Sequence, residues 1–233
     1  MKALILCHKS KQDAGAFDDM LLERGAEVEI RLAFDEGIRD VTPDQHDIVL
    51  FMGGPMGVYQ KDIFPYLQDE INYLEKRFEK EKPYLGICLG GQLMAAAMGS
   101  EVYPGQNGKE IGWHSIQVNQ EGGRTCLQHL DASHTPMMQW HGDTFDLPSE
   151  ANLLASSDLY QNQAIAYGEK ILGLQCHPEV TMTNIELWLA LGKNELQQAG
   201  LTVPVLREQT REHIETLDKA RTKFFNEWLD EVL

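Results

Sequence analysis

Residues 83–98 read Pro-Tyr-Leu-Gly-Ile-Cys-Leu-Gly-Gly-Gln-Leu-Met-Ala-Ala-Ala-Met, and this stretch decides the fold. It begins as an apolar strand, turns through glycines and continues as an Ala/Leu/Met run that favours a helix. Cys88 lies at the turn, between Gly86 and Gly90. This arrangement predicts a nucleophile elbow, a tight strand-to-helix turn that exposes one reactive side chain. The helix N-terminus would favour the thiolate, and the alternative is a buried, unreactive cysteine.

A second stretch, Ile171-Leu-Gly-Leu-Gln-Cys-His-Pro-Glu179, contains the groups that a thiol nucleophile requires. Such a nucleophile needs a base, and the base needs a third group that fixes its orientation. His177 and Glu179 are two residues apart, so in an extended segment they project to the same side. Pro178 favours that extended backbone because its ring restricts the preceding residue. We therefore expect one imidazole nitrogen to contact Glu179 and the other to face Cys88.

Three motifs together resemble the class I, or triad, glutamine amidotransferases. They are Gly53-Gly-Pro55, Gly86-Ile-Cys-Leu-Gly-Gly-Gln92 and His177-Pro-Glu179. The resemblance covers about residues 40–180 and is greatest to stand-alone proteins similar to the amidotransferase domain of GMP synthase. It implies an α/β, flavodoxin-like fold in which helices flank a central, mostly parallel sheet. A small antiparallel β annex and C-terminal helices complete the implied fold.

The resemblance also implies a reaction, the hydrolysis of the glutamine side-chain amide. Cys88 would attack the amide carbon, His177 would protonate the departing ammonia, and a glutamyl thioester would remain on Cys88. His177 would then activate water to release glutamate, with Glu179 orienting the imidazole. Charge on the developing oxyanion would be stabilised by the backbone N–H groups of Leu89 and Gly54.

Substrate contacts are implied by the same family pattern. Gly53 is a further candidate beside Gly54, although an ordinary turn after a strand is the alternative for this dipeptide. Gln92 lies one helical turn beyond Cys88, which places it on the same face as the elbow. The loop that begins at Trp140 resembles the one that holds the amino-acid end of glutamine, and packing in the core is its alternative. The candidate contacts in this loop are His141, Gly142 and Asp143.

The pattern of apolar segments independently favours an α/β fold. Short apolar runs alternate with segments of helical spacing up to residue 98, which predicts a parallel sheet with helices on both faces. Beyond this point the chain is β-rich, and it becomes helical again after residue 180. The predicted strands cover residues 3–7, 28–32, 47–52, 101–103, 111–118, 153–156, 164–167 and 171–175, and residues 84–98 form a strand, turn and helix. The other predicted helices cover residues 13–24, 62–81, 184–196 and 210–233.

Two regions are predicted from this change of character. Residues 1–180 would form the amidotransferase domain, and residues 181–233 a C-terminal helical extension that packs on the same domain. The apolar stripe of residues 210–233 is also compatible with a helix that binds a partner.

Composition and charge exclude several classes of function. The formal net charge of −16 disfavours binding to nucleic acids or anionic membranes, because phosphate contacts require clustered Lys and Arg. The four cysteines show no CxxC spacing, and no HExxH, Walker or GxGxxG motif occurs, so we expect no metal and no cofactor. The apolar run at the N-terminus is too short for a signal peptide or a membrane span. A cytoplasmic protein is therefore expected.

Three functions remain open on sequence grounds. The first is a glutaminase that releases ammonia, with a separate synthetase such as a GMP-synthase-like partner as acceptor, because no SGGxDS phosphate loop occurs. The second is hydrolysis of γ-glutamyl peptides or conjugates by the same triad. The third is an inactive protein that regulates or binds another chain. The pattern disfavours a PfpI-type enzyme, since there histidine follows the elbow cysteine and here Leu89 does.

Overall fold

A computed structural model describes residues 1–233, which contain twelve strands and six α-helices. The strands are β1 (Lys2–Cys7), β2 (Glu27–Leu32), β3 (Ile48–Phe51), β4 (Tyr84–Ile87), β5 (Val102–Pro104), β6 (Glu110–His114), β7 (Gln117–Val118), β8 (Met137–His141), β9 (Asp143–Phe145), β10 (Asn152–Ser156), β11 (Ala164–Tyr167) and β12 (Ile171–Leu174). The helices are α1 (Ala16–Glu23), α2 (Tyr66–Phe78), α3 (Leu89–Ala97), α4 (Met182–Leu191), α5 (Lys193–Gln198) and α6 (Val203–Val232).

An eight-stranded sheet forms the centre, in the order β2-β1-β3-β4-β12-β11-β10-β7. The strands from β2 to β12 in this order run parallel, and β11, β10 and β7 continue the sheet antiparallel. Two antiparallel pairs, β5 with β9 and β6 with β8, form separate small sheets. The predicted fold, a mostly parallel sheet with a small antiparallel annex, is confirmed.

The central strands β1, β3, β4 and β12 are buried at nearly every position and not at alternate ones, so both faces of the sheet are covered. In β1, Ala3 and Ile5 point into one core, and Leu4 and Leu6 point into the other. The first core is covered by α1 and α6, and the second by α2 and α3. The layered arrangement fixes the carboxyl ends of the parallel strands at one edge of the sheet, where ligands bind in folds of this type.

The C-terminal helix α6 contributes large aromatic side chains to the first core. Phe224, Phe225 and Trp228 are buried, and the ring centroid of Phe225 lies 4.2 Å from that of Phe17 on α1. The inward face of α6 is therefore occupied within this chain. The division of the chain at residue 180 stays a prediction. None of the helices has the length and apolar character that a membrane crossing requires.

Two strands of the annex were not predicted, and one predicted strand is wrong in extent. Residues 137–145 contain β8 and β9, although Met-Met-Gln-Trp-His shows neither alternation nor β-branched residues. The predicted strand 111–118 is two strands in two sheets, since β6 pairs with β8 and β7 pairs with β10. These strands form because they pair with segments that are distant in the chain, and the local sequence pattern does not predict such pairings.

Helix boundaries differ from the prediction at three places. Helix α2 begins only at Tyr66, so Ile63, which the predicted helix 62–81 includes, lies before it and is 67% exposed. The predicted helix 184–196 divides at Gly192, where an added β-carbon would lie 2.4 Å from the Trp140 ring. Helix α6 begins at Val203, seven residues before the predicted start, with Pro204 in its first turn as the start signal.

Replacing Gly90 by alanine is expected to lower the free energy of unfolding by about 3 kcal/mol. An added β-carbon there would lie 2.0 Å from the carbonyl oxygen of Phe51, and a backbone atom in the middle of a sheet cannot move aside. The control is Gly123→Ala, because nothing lies within 4 Å of its added β-carbon. Denaturant unfolding of both variants checks this; equal stability losses would contradict the packing explanation.

Candidate active site

The carboxyl edge of the parallel strands holds the three predicted triad residues around one cavity. Cys88 follows β4 directly, Gly53 and Gly54 lie just beyond β3, and His177 lies just beyond β12. The cavity has a volume of about 180 Å³ and is lined by the predicted triad and both glycines. Pockets for drug-sized ligands are typically about 300–1,000 Å³, so this cavity suits a smaller molecule.

The tight turn between β4 and α3 accounts for the backbone conformation of Cys88 and for the need for glycine beside it. Cys88 has a φ of 52°, a left-handed conformation that non-glycine residues rarely adopt and that marks strained functional turns. Gly86 is required because an added β-carbon would lie 2.5 Å from the carbonyl group of Gly90. The helix α3 starts immediately after Cys88, so its N-terminal N–H groups surround the turn. Cys88 itself is buried except where it borders the cavity.

His177 and Glu179 form a buried pair beside this cysteine. Nδ1 of His177 lies 2.7 Å from Oε1 of Glu179, and both side chains are almost fully buried. The other ring nitrogen, Nε2, is buried without a hydrogen-bond partner. The ring packs edge-on against Trp188 of α4, with ring centroids 4.8 Å apart. Nδ1 is therefore held by Glu179, and Nε2 is left without a partner in a position to transfer a proton.

The charge state of His177 results from opposing effects. Burial disfavours the charged ring, but the adjacent Glu179 carboxylate and the Cys88 sulfur outweigh it and raise the pKa of His177 to about 10. A protonated imidazole next to a cysteine stabilises the thiolate. The electrostatics of the site therefore favour a protonated imidazole beside Cys88.

The two predicted oxyanion donors are the N–H groups of Gly54 and Leu89, and these two residues pack closely together. The N–H groups of Gly53 and Gly54 donate no hydrogen bond within the chain. Gly54 lies between two side chains, since an added β-carbon would be 2.6 Å from Cβ of His8 and 2.8 Å from Cδ2 of Leu89. Leu89 is the first residue of α3, where N–H groups lack intrahelical partners. The role of the Gly54 and Leu89 N–H groups as oxyanion donors stays a prediction.

The predicted substrate contacts do not all face the cavity. Gly53 lines it, whereas Gln92, His141, Gly142 and Asp143 do not. Gln92 is buried and donates through Nε2 to Oε1 of Gln175 at 3.1 Å and to the Asp143 carbonyl at 3.5 Å. His141 contacts the Asp143 carbonyl and the Glu110 carboxylate, and burial raises the pKa of Asp143.

Several cavity residues were missed by the sequence reasoning. Trp188, Leu191, Gly192 and Glu195 come from α4, α5 and the residue between them, and they form one wall of the cavity. Glu195 accepts hydrogen bonds from the Trp140 indole at 2.8 Å and from Lys109. These two bonds connect α5 to β8 and to the residue before β6. No local signal marks these residues, because only the tertiary fold brings them to the triad. No group of three or more His, Cys, Asp or Glu residues could hold a metal ion.

The sequence model of the family described as glutamine amidotransferase class-I matches residues 13–189. The chain belongs to the class I glutamine amidotransferases. As a member of this family, it is an enzyme of glutamine amide hydrolysis.

Individual relatives of this amidotransferase include stand-alone proteins and parts of larger ones. A glutamine amidotransferase of Thermotoga maritima has a solved structure that is 30% identical, covers 98% of this chain and 97% of its own, and superposes with a TM-score of 0.88. The glutamine amidotransferase-like protein YfeJ of Salmonella typhimurium is 28% identical over 85% of this chain and 84% of its own. The glutamine-hydrolyzing GMP synthase of Enterococcus faecalis is 33% identical over 72% of this chain, which is only 29% of that protein.

The stability of this amidotransferase should depend on pH through His177. Its folded-state pKa of about 10 exceeds the ordinary value of 6.5, so its stabilising contribution is complete below pH 6.5 and is lost as the pH rises through about 10. The difference in unfolding free energy between the native protein and His177→Asn should therefore shrink over this range. Denaturant unfolding at several pH values checks it; a difference that grows with pH would contradict the assignment.

Proposed function

We propose that this amidotransferase hydrolyses glutamine through a Cys88–His177–Glu179 triad and a glutamyl thioester. The observation that carries the proposal is the state of the imidazole. Nδ1 is held by Glu179 at 2.7 Å, while Nε2 is buried, unpartnered and next to Cys88. A base oriented by a carboxylate and facing a strained nucleophile is the arrangement that acyl transfer requires.

The reaction then proceeds in two halves. The Cys88 thiolate attacks the amide carbon, and the carbonyl oxygen takes up the negative charge facing the N–H groups of Gly54 and Leu89. Loss of a donor of this kind typically costs about 3–4 kcal/mol of transition-state stabilisation. The His177 imidazolium transfers its proton to the leaving nitrogen, so ammonia departs and the thioester remains. Water, deprotonated by His177, then attacks the thioester, and glutamate leaves as Cys88 is restored.

Substrate binding is proposed around the same cavity. Gly53 lines the cavity, and the turn it shares with Gly54 allows the substrate to approach the backbone closely. Gln92 on α3, and His141, Gly142 and Asp143 at the junction of β8 and β9, do not line the cavity. Their role in binding stays a prediction.

We propose that the released ammonia is used by a separate synthetase, which activates the acceptor molecule. Relatives of this chain include GMP synthases, and the one from Sulfolobus acidocaldarius is named as a single subunit of glutamine-hydrolyzing GMP synthase. That relative is 33% identical over 61% of this chain and 76% of its own length. A protein of that kind provides a precedent for release of ammonia to another polypeptide. The identity of the activated acceptor does not follow from this likeness.

Turnover of glutamine by the purified chain tests the proposal. Glutamate and ammonia should form in equal amounts, and glutamine should be preferred to a γ-glutamyl dipeptide because the cavity is small. Both substrates are assayed at the same concentrations with and without a candidate synthetase. Faster turnover of the dipeptide would instead favour γ-glutamyl hydrolysis, and no turnover of either under any condition would contradict the proposal.

A further inference from the structure

The side chain of Gln175 contacts Cys88, and the proposed mechanism gives this glutamine no role. Gln175 follows β12, two residues before His177, and its side chain is 1% exposed. Its Nε2 atom lies 3.5 Å from Sγ of Cys88, within hydrogen-bond distance for sulfur. The contact is buried, so no solvent competes for the sulfur from that side.

The orientation of this amide follows from its partners. The Asp143 carbonyl can only accept a hydrogen bond, and it lies 3.5 Å from Nε2 of Gln92, so the Gln92 amide presents its NH₂ group on this side. The Gln175 amide lies 3.1 Å from the same NH₂ group and must accept there through its oxygen. Oε1 of Gln175 is thereby occupied as an acceptor. The NH₂ group of Gln175 is then the part of the amide that faces sulfur, and it can only donate.

Cys88 has an acceptor on another side. The carbonyl oxygen of Trp140 lies 3.9 Å from Sγ, where it can accept only from the protonated thiol. The Gln175 NH₂ group, in contrast, donates more strongly to a thiolate than to a thiol, because hydrogen bonds to ionised acceptors are stronger. The two contacts therefore favour opposite protonation states of the same sulfur.

We propose that Gln175 is a catalytic residue that donates a hydrogen bond to the Cys88 thiolate and keeps it ionised and in place. Gln92 is a positioning residue that fixes the Gln175 amide through its oxygen. The inference rests on the proposed function only in taking Cys88 as the nucleophile. Gln92 does not line the cavity, and its bond to Gln175 gives it a role in addition to the substrate contact predicted for it.

The test is the rate at which iodoacetamide alkylates Cys88 in the full chain at different pH values. Gln175→Met keeps the volume of the side chain and removes its donor, so alkylation at neutral pH should slow about tenfold. At high pH, where thiols ionise regardless of this contact, native and variant rates should converge. Gln175→Glu, which places an acceptor against the sulfur, should slow the neutral-pH reaction further.

Cys88→Ala supplies the background rate, and the other thiols contribute little. Cys7, Cys126 and Cys176 are buried, and burial raises the pKa of all three. The titratable groups that share the cavity with Cys88 are retained in both Gln175 variants: Lys9, Asp13, His177, Glu179 and Glu195.

The matched control is Gln163→Met. Gln163 is also a fully buried glutamine, and its side chain bonds to Glu110, Ser157 and Gln139 and not to Cys88. Its main-chain carbonyl accepts from the Gln175 N–H, a bond that the substitution retains. Its replacement should lower stability and leave the pH profile of alkylation unchanged. Near-ultraviolet circular dichroism establishes that each variant is folded.

An unchanged alkylation profile in folded Gln175→Met and Gln175→Glu would overturn the inference. An equal change in Gln163→Met would do so too, because a general loosening of the core would then explain it. Alkylation needs no glutamine, so its outcome is separate from that of the turnover assay. A chain that does not hydrolyse glutamine would contradict the proposed function and leave this test of Gln175 valid.

Discussion

Replacement of Cys88 by alanine is expected to abolish ammonia release from glutamine, with turnover falling by about 10⁴-fold or more. The covalent route is lost entirely, because no other thiol or hydroxyl side chain lines the cavity at the end of β4. The fold should be retained, since alanine adds no atom beyond Cβ. Ammonia and glutamate release by the purified variant, measured at saturating glutamine, checks the expectation.

The matched control for this substitution is Cys126→Ala. Cys126 is equally buried and belongs to a short 3₁₀ helix, Cys126–Leu130, away from the cavity. Its replacement should leave turnover within a factor of about two while the protein is folded. Full activity in Cys88→Ala, or equal losses in both variants, would contradict the assignment of the nucleophile.

Replacement of Glu179 by glutamine is expected to lower kcat by about 10³- to 10⁴-fold. The carboxylate lies 2.7 Å from Nδ1 of His177 and is a principal cause of the raised imidazole pKa. A neutral amide removes the charge that balances the buried imidazolium, so the thiolate loses its partner as well. Steady-state kinetics should show the loss mainly in kcat, because Glu179 holds the base and not the substrate.

Glu29→Gln is the control for loss of a carboxylate that pairs with histidine. Oε2 of Glu29 lies 2.9 Å from Nε2 of buried His46, on edge strand β2 and far from the cavity. We expect a change in stability and no change in kcat. A kcat for Glu179→Gln within tenfold of the native value would show that the pair is structural.

The turn at Cys88 and the pairing of His177 with Glu179 could be predicted from the sequence for a physical reason. An elbow needs glycine wherever a β-carbon would meet backbone, and Gly86 and Gly90 meet each other and β3 in this way. His177 and Glu179 are neighbours in sequence as well as in space, so their pairing can be predicted from local geometry.

The cavity wall formed by α4 and α5 could not be predicted, because it depends on packing between residues distant in the chain. Trp188 and Glu195 lie in helices whose inward faces are set by α6 and by Trp140, and no spacing in the sequence relates them to Cys88. The buried contact between Gln175 and Cys88 had a weak signal, since Gln175 lies two residues from His177 in an extended segment. The proposed role of Gln175 depends on the hydrogen-bond partners of both its amide oxygen and its amide nitrogen, which only the structure provides.

The most direct test of the triad is to identify the residue that a chloroketone analogue of glutamine alkylates. We predict one analogue per chain, attached to the peptide that contains Cys88, with protection by glutamine and loss of glutamine turnover in proportion to labelling. Attachment to Cys7, Cys126 or Cys176, or turnover that persists when Cys88 is fully modified, would contradict it.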